Sequence, residues 1–281
     1  MNGNPVAVPD QGWSLLDVLR TDLGISSTKD GCAPQGQCGC CTVLVDGKPR
    51  VACVTPVRRV RGRQVTTLEG LEPQRRDRWA QAFCDTGGSQ CGFCTPGIIV
   101  RLESLARSNS LAGDGVLDRD AVDQALLAHL CRCTGWQTIV EAAETLVSIG
   151  SSASYVDIGD QSALGNVRDL EKAGQRATLE GRAPQRVSPS VALGQAGFAA
   201  DLVPTDHLVA VRDTEGTWVA AQTLPEARAL AGKVQGRRTT APHRFPLELP
   251  DGDWVATLRT TWTDGAYLET DAAWCLSLIH I

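Results

Sequence analysis

The sequence predicts an α+β chain: a cysteine-rich unit of loops and strands, then a group of helices, then a partial mixed α/β segment. Three observations carry this. Asp46-Gly47 sits between two strand-like runs in "TVLVDGKPRVACV", a strong hairpin signal. Apolar residues recur at helical spacing through the middle of the chain, whereas the pattern becomes mixed from about 167. Eight of the eleven cysteines divide into two sets of four, one in each of the first two units.

In chain order, "SLLDVLRTDLG" (14–24) reads as a helix whose Ser14 and Asp17 form a capping box. The loop "GCAPQGQCGCC" follows, where Gly31, Gly36 and Gly39 permit tight turns. Then comes the hairpin, and "VRRVRGR" (57–63) alternates like the wet face of a strand. "RRDRWAQAFCDT" (75–86) is an amphipathic helix. In "TPGIIVRLESLARS" Thr95 is the expected N-cap and Pro96 the first helical residue, with Ile98, Ile99, Leu102, Leu105 and Ala106 as the apolar stripe. Asp118 is placed to cap a helix bearing Val122, Ala125, Leu126, His129 and Leu130 on one face. "TGWQTIVEAAETLVSI" closes the group with Ile139, Val140, Ala143, Leu146 and Val147. Four such helices make a small bundle. "GSSASYVDIGDQSALGN" (150–166) reads as a linker. Beyond it a hairpin is expected about Thr214–Gly216, a short helix in "PEARALAGKV" and a strand in "DWVATLRTTW".

Composition narrows the function. A net charge of −5 and a pI near 5.4 argue against a general binder of nucleic acid or anionic membranes. No apolar run reaches the roughly 18 residues of a membrane span, and "MNGNPVAVPD" lacks a signal-peptide layout, so a cytoplasmic location is expected. There, eleven cysteines point to bound metal rather than disulfides. His129, His207, His243 and His280 show no metal-ligand spacing, and no nucleophile motif or phosphate loop appears. His129 reads as a core or helix-end histidine, and Asp251 and Asp253 as turn residues about Gly252.

The first cysteine set is Cys32, Cys38 and Cys41, closed by Cys53. It approaches the plant-type ferredoxin spacing, C-x4-C-x2-C with a distant fourth. A glycine-rich loop giving three thiolates, with a fourth returned by a hairpin, favours an iron–sulfur cluster over zinc, which prefers paired short knuckles. The second set is Cys91 and Cys94, closed by Cys131 and Cys133; its spacing alone leaves iron–sulfur and zinc open. Both of its pairs fall at helix ends, where N–H groups and the dipole favour an anionic cluster. Cys40, Cys84 and Cys275 are left over, with Cys40 expected to point away as Cys41 turns in.

Taken together, "GCAPQGQCGCCTVLVDGKPRVACVTP", "QCGFCTPGIIV" and "HLCRCTGWQTIVEAA" resemble the two-cluster iron–sulfur subunit of the xanthine oxidase family of molybdenum hydroxylases. The resemblance covers residues 1 to about 150. It implies a ferredoxin-like β-grasp domain over 1–70 and a four-helix bundle over 71–150, each holding one [2Fe–2S] cluster on the cysteine sets above. It further implies that Gln90 and Cys133 approach a molybdopterin, and that electrons run from molybdenum through the bundle cluster and the ferredoxin-type cluster to a flavin. Molybdopterin and FAD would then sit on partner domains or subunits, and this chain would transform no substrate itself. Two departures stand out: Cys32 and Cys38 are separated by five residues instead of four, and only Met1 precedes the Asn2-Gly3 turn, so the first β-grasp strand is expected to be missing.

After a linker over 151–175, residues 176–275 weakly resemble the start of the molybdopterin-binding subunit in "GQAGFAADLVPTDHLVAVRD", "TLPEARALAGKV" and "AYLETDAAWC". The end "LSLIHI" looks like translated sequencing adapter, so 276–281 are expected to be a non-native tail. The leading reading is electron transfer within a molybdenum hydroxylase. The alternatives are a free-standing two-cluster ferredoxin and a zinc-stabilised interaction module.

Overall fold

The computed structural model describes residues 1–32, 34–108, 117–145, 169–181, 188–204, 206–232, 252–253 and 255–256. The expected capping box is present: Ser14 Oγ accepts from Asp17 N at 3.2 Å and the Asp17 carboxylate accepts from Ser14 N at 3.1 Å. It starts α1 (Leu15–Asp17), which continues as a π-helical turn over Val18–Asp22, and Leu15, Leu16, Val18 and Leu19 are buried.

The hairpin joins β1 (Thr42–Val45) to β2 (Lys48–Val51), and β3 (Val65–Thr66) pairs on the other side of β1, all antiparallel. Asp46 and Gly47 have φ of 50° and 76°, the left-handed pair that a two-residue hairpin turn requires. Every residue of β1 is buried because helix α3 (Thr95–Arg107) packs across it, while β2 alternates between exposed and half-buried. The arginine stretch 57–63 is not a strand. Pro56 leads into a 3₁₀ turn at Val57–Val60 that buries Val57 and leaves Arg58 and Arg59 exposed. The arginines are indeed wet, but through a turn rather than through pleating.

The helices follow largely as expected. In α2 (Pro73–Thr86) the Glu72 carboxylate accepts from Gln74 N and Arg75 N, and Gly87 ends the helix at φ 73°. Asp118 caps α4 (Arg119–Leu126), and α5 (Gln137–Thr145) completes the set. Ile98, Ile99, Leu102, Val122, Ala125, Leu126, Ile139, Val140 and Ala143 are buried, with Leu105 and Ala106 packed partly beneath the surface. Two details differ. Helix α3 takes Cys94, not Thr95, as N-cap, and the Thr95 hydroxyl bonds Ser89 Oγ instead. Leu130 is exposed because α4 ends at Leu126 and the helical stripe stops there. Leu146 and Val147 lie outside the described residues.

Glu103, wholly buried on α3, accepts from Arg75 of α2 at 2.9 Å, from Arg107 at 2.7 Å and from Trp79 Nε1 at 3.0 Å. This carboxylate fastens α2 to α3.

Further along, α6 (Leu170–Leu179) occupies the end of the expected linker 151–175 and crosses its boundary; its Asp169 cap and Glu171 give that stretch a helix start. The rest of 150–166 lies outside the described residues. Then come α7 (Pro189–Ala192), the antiparallel pair β4 (Val209–Arg212) and β5 (Trp218–Ala221), and α8 (Leu224–Ala231) with a Thr223–Glu226 capping box. The hairpin and helix expected there are both present. Of the strand expected in 253–262, Asp253, Val255 and Ala256 are described and form none; the remainder, with Asp251, His243, Cys275 and 276–281, lies outside the described residues.

Candidate metal centres

Residues 31–53 build the first site. Gly36 and Gly39 adopt φ of 70° and 71°, bending the loop back on itself. A methyl on Gly31 would lie 3.1 Å from the Cys38 and Cys40 sulfurs, so the loop closes tightly on its own thiols. The hairpin then returns Cys53, whose N–H points at Cys41 Sγ at 3.5 Å, while Gln35 N donates to Cys32 Sγ at 3.1 Å. The Cys32 thiol meets both Cys38 and Cys53, and Cys41 meets Cys53. The structure therefore gathers Cys32, Cys38, Cys41 and Cys53 in one buried group.

Their protons are unequally shared. Hydrogen bonds from Cys38 and Cys53 hold Cys32 far below the ordinary thiol range, and the Cys53 thiol holds Cys41 down. Contact with Cys32 drives both Cys38 and Cys53 upward. Four thiolates cannot ionise together at this spacing unless positive charge comes between them.

Cys40 is not turned away. Buried beside Cys38, its sulfur lies 3.7 Å from the Cys38 carbonyl and close enough to raise the Cys94 thiol electrostatically. Gly31, where a methyl would lie 3.1 Å from the Cys40 sulfur, leaves room for it on the inner side of the loop. Cys84, on α2, is a core thiol pushed up to about 11 by burial, with Asp85 adding to the rise.

The second site lies between helix ends. Cys94 precedes α3, and Cys131 and Cys133 lie in the turn between α4 and α5, where Gly135 and Trp136 take positive φ. The sulfurs of Cys91 and Cys133 are 3.6 Å apart, and Cys94 meets Cys131. The Cys94 thiol brings Cys131 down to about 5 against its burial, and Thr134 Oγ1 lies 3.2 Å from the same sulfur. Cys94 is buried, Cys131 half-buried, and Cys91 and Cys133 are exposed. Gln90 is half-buried immediately before Cys91. Among the described residues, no three His, Cys, Asp or Glu groups converge on a single-ion site.

A seam joins the two sites. Leu130 N donates to the Cys38 carbonyl at 3.0 Å, one residue before Cys131. A methyl on Gly97 of α3 would meet the Gly39 carbonyl oxygen at 2.3 Å, and one on Gly39 would meet the His129 ring. His129 is buried with Nε2 3.2 Å from Thr42 Oγ1 and Nδ1 unpartnered among the described residues. Burial, with Arg101 nearby, brings its pKa down to about 4, so it stays neutral. It is a core histidine, as the sequence suggests. The seam itself has no sequence pattern; a glycine two residues into an amphipathic helix is its one local sign.

Residues 67–144 match the family model of the [2Fe-2S] binding domain. The chain is 40% identical over 129 residues to a probable xanthine dehydrogenase subunit of Bacillus subtilis, covering 46% of this chain and 71% of that protein. It is 37% identical over 141 residues to the "Nicotinate dehydrogenase small FeS subunit" of Eubacterium barkeri, covering 50% of this chain and 86% of that one. Its structure is similar to that of the aldehyde oxidoreductase from Desulfovibrio desulfuricans, with a TM-score of 0.58 and 31% identity over 75% of this chain and 22% of the other. Among the described residues, no helix is long and apolar enough to cross a membrane.

Proposed function

The chain belongs to the iron–sulfur subunits of the molybdenum hydroxylase family, and from that premise we propose that it carries electrons through two [2Fe–2S] clusters between a molybdopterin site and FAD or another acceptor. Cys32, Cys38, Cys41 and Cys53 hold the first cluster, and Cys91, Cys94, Cys131 and Cys133 the second. The observation that carries this reading is the pairing of two separate four-thiol groups across one hydrogen-bonded seam, Leu130 N–H to the Cys38 carbonyl.

The donor sets suit such clusters. The first offers four thiols linked through Cys32 and Cys53, the second two thiol pairs, Cys91 with Cys133 and Cys94 with Cys131, and N–H groups of Gln35 and Cys53 already point at sulfurs, as a reduced anionic cluster needs. A bound cluster stores one electron and releases it without bond breaking. The chain's own residues bury the first group, open the second to the surface, and fix the gap between them. Exposure of Cys133, with Gln90 close in the chain to Cys91, supports the approach of a molybdopterin on that side.

In this reading residues 1–70 are the β-grasp domain, and α2 to α5 the bundle. Residues 176–275 begin a molybdopterin-binding region, supported by an aldehyde oxidoreductase match that extends past the cysteine sites. FAD sits on another domain or subunit, and the assembly works in the cytoplasm. The test is spectroscopic. The iron-loaded protein is expected to be red-brown and, once reduced, to give two distinct [2Fe–2S] EPR signals. A colourless protein holding only zinc would overturn the proposal.

A further inference from the structure

Residues beyond the two cysteine groups grip the face where those groups meet. Lys29 has a side chain 1% exposed, and its ammonium meets three groups of one distant segment. It donates to the Gly194 carbonyl at 3.0 Å, forms an ion pair with Asp201, and sits 4.4 Å from the centroid of the Phe198 ring. Arg20 reaches the same Asp201 carboxylate at 2.7 Å and is itself held by the Ser26 and Thr28 carbonyls. A second pair, Arg228 to Asp30 at 2.7 Å, closes beside it.

The apolar half of the segment points elsewhere. Phe198 meets Phe93 edge to face, with centroids 5.2 Å apart, and Phe93 lies between Cys91 and Cys94. The Val191 carbonyl lies so close to Gly92 that a methyl there would come within 2.2 Å of it. A methyl on Gly194 would lie 2.8 Å from the Pro96 ring, at the start of α3. Val191, Ala192 and Phe198 are buried by these contacts.

We propose that residues 188–201 act as a charge-keyed clip on the Cys91–Cys94 loop, with Asp201 as a positioning residue for the second cysteine group. A buried ammonium is strongly unfavourable unless paired, so Lys29 ties the segment in place from the side of the first group. Aromatic packing then transmits that anchorage to the second group. The link spans both sites: Lys29 N also donates to the Cys40 carbonyl at 3.2 Å.

Hydrogen exchange read by mass spectrometry on the full chain tests this and requires no cluster, so its failure is distinct from failure of the electron-transfer reading. Asp201→Ala is expected to speed exchange at least about tenfold in 188–201 and in 90–98, leaving the 42–51 hairpin unchanged. Asp201→Glu should restore most of the protection, because it keeps the charge. Phe198→Ala, which leaves the ion pairs in place, should loosen 90–98 on its own. Faster exchange confined to 188–201, spread evenly through the hairpin, or absent altogether would overturn the clip.

Discussion

The two cysteine groups use the same four side chains in opposite settings. In the first, all four thiols are buried and three come from one glycine-bent loop, with the fourth a hairpin away. In the second, two thiols are exposed, and each pair belongs to a different helix end. Burial in the first raises the cost of any unbalanced charge, while exposure in the second leaves the Cys91 and Cys133 sulfurs open to water. One site is enclosed, the other open.

The sharpest way to break this comparison is to remove one thiol from each group. Cys41→Ser is expected to erase one reduced-state EPR signal and Cys133→Ser the other, each leaving its counterpart intact. Loss of both signals from either variant would mean that the groups do not hold separate clusters. Thermal unfolding should also respond unequally, with the larger fall in Tm for Cys41→Ser, since its neighbours are buried and cannot turn to water.

The seam offers the next test. Gly97→Ala places a methyl against the backbone of Gly39 and Cys40, where no flexible side chain can yield. Denaturant unfolding should show a loss of about 3 kcal/mol, the upper end for overpacking. If the loss is negligible, the two regions are not in firm register.

Glu103 sharpens the contrast through pH. Burial pushes its pKa up, but hydrogen bonds from Arg75, Trp79 and Arg107 outweigh that and leave it below the usual carboxylate value. The stability it contributes is therefore fully present above the unfolded-state value near 4 and fades as pH falls through the lower folded value. Amide exchange should show the helices loosening in acid before the hairpin does. Glu103→Gln should cost about 2 kcal/mol at neutral pH, less than a fully enclosed pair because both arginines keep access to water. Loss of the acid response in that variant is the accompanying check.

The smallest effects come from the caps. Ser14→Ala in the first region and Asp118→Ala in the second should each cost about 1 kcal/mol by calorimetry. A common shift of a single transition would indicate that the regions unfold together, and two separating transitions that they do not.

Much of this was legible locally. Cysteine spacing, the Asp46-Gly47 turn, the Ser14 box and the helical stripes each depend on residues a few positions apart. Longer-range features were hidden for a physical reason. Lys29 and Asp201 are far apart in the chain, and neither carries a pattern that names its partner. Cys40 looked like a bystander because adjacent side chains usually diverge, yet Gly31, across the loop, has no side chain to keep its sulfur from the inner face. The arginine run misled for the opposite reason: alternation suggests a strand, but a proline just before it starts a 3₁₀ turn.

The Asp46-Gly47 turn also has a consequence in time. From first to last thiol, the second group spans twice as much chain as the first. Each doubling of a closed loop adds about 0.6 kcal/mol of entropy cost, and the first group also inherits a hairpin, a motif that forms in about 1–10 μs. During synthesis the first group is complete before the second has left the ribosome. The first group's thiols are thus the earlier ones available, and their enclosure is finished when α3 packs across β1 and brings the second group alongside.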